Sequence, residues 1–128
     1  MPTRATVQLP PLTALAIDTT GKFLFAGAWR DATGLDKMRA VFEVRGLNGS
    51  LSVVPAVQFA DMPDNPGTVT NIGTAATADG FNAPSSWTSV QTDANAKQLF
   101  RLGWFVKLTT GSTLATAIVQ GKVEILTV

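Results

Sequence analysis

Few side chains in this sequence are equipped for chemistry, and their surroundings limit what each can do. Two glutamates, Glu43 and Glu124, sit in stretches of alternating polarity, and a facing pair of carboxylates is what glycoside hydrolysis needs. Each stands among polar strand positions beside arginine or lysine, so the expectation is surface ion pairing and no catalytic residue is assigned. Asp61, Asp64 and Asn65 form the one concentration of oxygen ligands with any suitability for Ca²⁺. Their spacing is not that of an EF-hand loop, and Pro63 and Pro66 interrupt it, so a solvated Asx turn is expected and no metal site. Trp29, Trp87 and Trp104 remain as anchors for sugars or proteins. Trp104 falls in a buried row, Trp29 ends an apolar run beside Arg30 and Asp31 with core or rim packing expected, and Trp87 follows Pro84 and Ser86 at a loop exit with core and surface both open to it.

Histidine, cysteine and tyrosine are absent. That removes the imidazole base, the thiolate nucleophile and the ligands for zinc, copper or iron–sulfur clusters, along with any disulfide framework. Gly21, Gly27, Gly34 and Gly46 match no nucleotide-binding fingerprint. No enzyme activity and no cofactor are expected. Ten basic against nine acidic residues leave a net charge of +1, too small an excess to draw a nucleic acid or an anionic membrane by bulk electrostatics. With no stretch of signal-peptide or membrane-spanning character, the expectation is a soluble chain made in the cytoplasm.

Any site must be positioned by the elements the apolar pattern specifies. In 128 residues, 45% hydrophobic and 15% charged, there is material for one core, so residues 1–128 are expected as a single domain. The period is two. Phe100, Leu102, Trp104, Val106 and Leu108 alternate with Arg101, Gly103 and Lys107, and Met38, Ala40, Phe42 and Val44 alternate with Arg39, Glu43 and Arg45. Leu51, Val53, Val57 and Phe59 form a third row, with Pro55 suggesting a sheet edge or bulge. Ala115, Ala117, Val119, Val123 and Ile125 form a fourth, in a strand bent or interrupted near Gly121. Residues 22–29 predict a buried strand, residues 12–18 a shorter one, and residues 31–38 at most a helical turn. Asn48-Gly49 and the segment 109–113 predict hairpins. The predicted core is Phe25, Phe42, Val44, Val53, Phe59, Phe100, Leu102, Trp104, Val106 and Val119.

Residues 60–84, rich in Pro, Gly, Ala and Thr, predict a long connection available to partners. The N-terminal arm, residues 1–11, holds Pro10 and Pro11 and a single charge at Arg4. Two roles fit it: an extended strand added to a neighbouring subunit, or the first strand of its own sheet. Short strands, tight turns and one long crossing segment specify an all-β fold, an antiparallel β-sandwich of jelly-roll or Greek-key type.

A short cysteine-free β chain with small polar turns, a Pro-rich extended N-terminus and an Ala/Thr/Gly loop resembles the decoration, or cement, proteins of bacteriophage capsids. The resemblance implies a structural virion protein, made in the host cytoplasm, that binds the outside of an assembled shell and reinforces its capsomer contacts. Its implied partners are the major capsid protein and further copies of itself, with a trimer favoured. No family motif is present, so no functional residues carry over. The partner-binding candidates come from the residues themselves: Arg4, Val7 and Leu9 in the arm, Asp61, Asp64 and Asn65 in the loop, and Trp87. The alternative function is a carbohydrate- or receptor-binding β-sandwich module.

Overall fold

The structure, a computed structural model, describes residues 3–84, 86–90, 97–109 and 113–128. Ten strands follow in order: β1 (Thr3–Ala16), β2 (Lys22–Phe25), β3 (Arg30–Asp31), β4 (Leu35–Asn48), β5 (Leu51–Ala60), β6 (Pro66–Asn71), β7 (Gly80–Asn82), β8 (Thr88–Ser89), β9 (Leu99–Leu108) and β10 (Ala115–Thr127). One antiparallel sheet, A, runs β1-β10-β4-β7 with β8 also on β4, and the other, B, runs β2-β9-β5-β6 with β3 on β9. Setting aside the two-residue strands β3 and β8, the other eight in chain order give sheets 1-8-3-6 and 2-7-4-5. This is one long antiparallel hairpin wound into a barrel-like sandwich, so the expected β-sandwich is specifically a jelly roll.

The inner faces are the alternating rows read from the sequence. Phe42, Val44, Val53, Phe59, Phe100, Leu102, Trp104, Val106 and Val119 are all buried. Trp104 of sheet B meets Phe42 of sheet A edge to face, with centroids 5.6 Å apart and an interplanar angle of 72°, the arrangement favoured by aromatic quadrupoles. Beside them, Gly121 occupies an inward position between Leu9 and Phe42. A Cβ there would lie 2.6 Å from the Cβ of Phe42, so only glycine lets the three strands close over the ring. β10 runs through Gly121 in unbroken register with β4. Of the bend or interruption expected there, the interruption does not occur.

Several expectations need correction. Phe25 is not core: Leu24 takes the inward position of β2, and strand alternation leaves Phe25 56% exposed on the outer face. Of the two roles that fit the N-terminal arm, the first strand of its own sheet is the one seen from Thr3 onward: β1 pairs with β10 from Thr3 to Ala16, with a bulge at Pro10 and Pro11 that shifts the register between Leu9 and Leu12. Asn48-Gly49 does not close a hairpin: β4 belongs to sheet A and β5 to sheet B, so this turn crosses between layers. Likewise β9 and β10 lie in different sheets. Residues 110–112 of that second expected turn, together with Ser85 and residues 1–2, lie outside the described residues. Among the described residues, the two strands joined as a hairpin are β5 and β6, whose turn and second strand lie in the segment 60–84, which also contains β7. β6 and β7 are edge strands with few large apolar residues, so their partners specify them more than their own sequence does. Pro55 lies in an interior strand rather than at an edge. β6 ends at Asn71, beside Ala56, and the Ile72 N–H donates to the Pro55 carbonyl, so the missing donor faces the place where β6 leaves the ladder. Residues 31–38 form no helix: Asp31 closes a local turn by accepting from Thr33, and β4 starts at Leu35.

Candidate functional site

The sandwich turns two differently built outer faces to solvent. On sheet B, Arg101 projects outward from β9, between inward-facing Phe100 and Leu102. Its guanidinium carbon lies 3.8 Å from the ring centroid of Phe25, 4.4 Å from Trp29 and 5.9 Å from Phe23. The Arg101 Nε donates to Gln58 Oε1 at 2.9 Å, which fixes the plane of the fork. Burial among these rings pushes the Arg101 pKa below its ordinary value. Gly103, the next outward residue of β9, makes the close approach of β2 possible: a Cβ there would lie 2.5 Å from Phe25 Cα. Among the described residues Arg101 pairs with no carboxylate, and the result is an aromatic patch with a cation at its centre.

Sheet A carries an ion cluster instead. Glu124 of β10 lies opposite Arg39 of β4 in the ladder. Its Oε2 accepts from Arg39 Nε at 2.8 Å and pairs with Arg4 Nη2 at 3.0 Å. Trp87 is held by both cations, with Arg39 4.5 Å and Arg4 5.3 Å from its ring centroid. The half-buried ring thus clamps the chain entering β8 onto the sheet. The hydrogen bond from Arg39 holds the Glu124 carboxyl below the usual glutamate range; burial opposes this, while the charges of Arg39, Arg4 and Lys122 add to it. A lowered folded-state pKa contributes stability above the unfolded value that is lost as pH falls through the folded one. Glu124→Gln is therefore expected to cost roughly 1–2 kcal/mol at neutral pH and to flatten the decline of stability below the usual glutamate range. Urea midpoints measured from neutral to acid pH check both parts.

Of the partner-binding candidates, Arg4 and Trp87 come together. Val7 and Leu9 do not join them: they face inward from β1, Leu9 being only 2% exposed, so Leu9 is a core residue. Asp61, Asp64 and Asn65 lie in the exposed β5–β6 turn, where Asp61 pairs with Lys97 at 3.4 Å. Among the described residues no three acidic side chains gather closely enough to hold a metal ion. Glu43 and Glu124 are four residues apart along the ladder (Glu43 opposite Gln120, Arg39 opposite Glu124). That is roughly 13 Å at a strand's rise per residue, beyond the separation of a glycosidase pair, and each carboxylate is occupied by arginine. The Phe25–Trp29–Arg101 patch was missed by the sequence reading. Its signal was the shared parity of Phe23 and Phe25, which places both rings on one strand face.

No protein-family model matches this sequence, and no curated protein matches it. Solved structures do. The chain is similar to a chain in the structure of infectious bursal disease virus Gt strain, with TM-score 0.65 and 11% identity over 98% of this chain and 33% of that one. Similar values hold for the T=1 particles derived from that virus (TM-score 0.67, 10% identity, 98% and 32% covered). The VP2 subviral particle gives TM-score 0.61 and 10% identity, covering 98% of this chain and 33% of that one. At these identities the likeness is one of fold, and the present chain spans about a third of the length of the chains it matches.

Proposed function

We propose that this chain is a structural protein of a virion, a jelly-roll subunit whose work is association rather than turnover. Within that class we assign it to decoration of the shell exterior, with the major capsid protein and further copies of itself, as a trimer, for partners. The observation that carries the reading is the fold: the single wound hairpin over nearly the whole chain is similar to about a third of each chain in the virus particles it matches. The sheet B patch supports it. Phenylalanine, tryptophan and arginine gathered on one face are the residue types that anchor protein interfaces.

Sedimentation of the isolated chain at high micromolar concentration tests this. A trimer is expected for the wild type, and for Phe25→Asp a monomer that keeps the β-sheet circular-dichroism spectrum, because Phe25 is already mostly exposed. A wild type that stays monomeric, or a Phe25→Asp oligomer indistinguishable from it, would overturn the assignment of this face.

A further inference from the structure

The face of sheet A remote from the patch carries a second construction. The register lays one row across four strands: Phe81 of β7 opposite Glu43 of β4, Glu43 opposite Gln120 of β10, and then the Pro10–Pro11 bulge of β1. Three strand spacings separate the ring of Phe81 from the prolines, about 14 Å. Between them lies a hollow of about 460 Å³, a size suited to a small ligand. Phe81 is 68% exposed, so its ring is presented rather than packed. The floor is polar and fixed in place: Gln120 Nε2 donates to Glu43 Oε2 at 3.1 Å, and Arg45 donates to both Glu43 oxygens at 2.6 and 2.9 Å. Among the described residues the Gln120 amide oxygen has no protein partner, and Lys122 stands at the rim.

An open aromatic face beside fixed amide and carboxylate groups matches the chemistry of a sugar ring. The C–H face of a pyranose stacks on an aromatic, while its hydroxyls both donate and accept hydrogen bonds. Arg45 offsets the charge of Glu43, so the floor gives no strong preference for an anion or a cation. We propose that this hollow binds a neutral pyranose, one or two rings long, stacked on Phe81 and hydrogen-bonded to Gln120 and Glu43. Because the two sheets' outer faces point away from each other, a subunit bound through sheet B keeps this hollow open to solvent, where it can take a glycan.

The test is a chemical-shift titration of the full ¹⁵N-labelled chain. The probes are the methyl glycosides of glucose, galactose, mannose and N-acetylglucosamine, with maltose, cellobiose and lactose. Millimolar binding of at least one probe is expected, with shifts centred on Phe81, Glu43, Gln120 and Gly121. Phe81→Ala should weaken it about tenfold or more with an unchanged thermal transition, Gln120→Leu should weaken it too, and Phe81→Trp should retain it. Absence of shifts with every probe, undiminished affinity in Phe81→Ala, or shifts centred on Phe25 and Trp29 would each overturn the proposal.

Discussion

Removal of residues 1–11 is expected to abolish the cooperative thermal transition. That segment supplies the first half of β1, paired with β10 from Thr3 opposite Thr127 to Leu9 opposite Gly121. Leu9 is buried in the same core cluster as Phe42, on the other side of Gly121 in the ladder, and loss of one such leucine alone costs about 2–5 kcal/mol. The deletion also strips the ladder from residues 121–127 of β10 and uncovers Val123 and Ile125. A domain of this size has about 5–15 kcal/mol in total, so the combined loss exceeds what it can absorb. Differential scanning calorimetry of the truncated chain reads this directly. A transition within a few degrees of the wild type would mean that β1 is dispensable, and that the first strand serves a neighbour instead.

Substitutions at Trp104 should separate packing from polarity. Trp104 is fully buried in β9, and among the described residues its indole Nε1 has no hydrogen-bond partner. Trp104→Ala deletes the ring that joins the two sheets and should cost about 3–5 kcal/mol, a fall in Tm of roughly 10–20 °C. Trp104→Phe keeps an aromatic edge against Phe42 and removes a buried unpaired donor, whose desolvation costs about 1–3 kcal/mol. The gain offsets much of the lost volume, so Trp104→Phe should fall within about 1 kcal/mol of the wild type. Equal losses in the two variants, read from urea midpoints, would show that the indole N–H is satisfied and that ring volume alone sets the cost.

The strands of the core were legible because one buried face forces period two: Phe42 and Val44, or Leu102, Trp104 and Val106, declare their side without help from the rest of the chain. Their layer was not. Asn48-Gly49 permits a tight reversal whether the next strand pairs with the last or crosses to the other sheet, and the winding of the whole hairpin decides which. Phe25 was misplaced because an apolar run hides its own parity, and an outer face lined with phenylalanine imitates a core. The ion pairing expected of the two glutamates is present: Glu43 takes a partner two residues away, Arg45, but Glu124 does not find its partners locally. Glu124 meets Arg39 across 85 positions of sequence, and Trp87 meets Arg4 only through the register of β1, β10 and β4, which no local pattern encodes. Edge strands such as β6 and β7 take their form from the neighbour they pair with, so Pro66–Asn71 and Gly80–Asn82 looked like loop.

Quantitative mass spectrometry of purified virus particles tests the proposed virion role most directly. The expected result is the chain at a fixed ratio to the major capsid protein, retained through repeated gradient purification and released from the outside of intact shells by mild denaturant. Its absence from particles that contain every other structural protein would contradict that role.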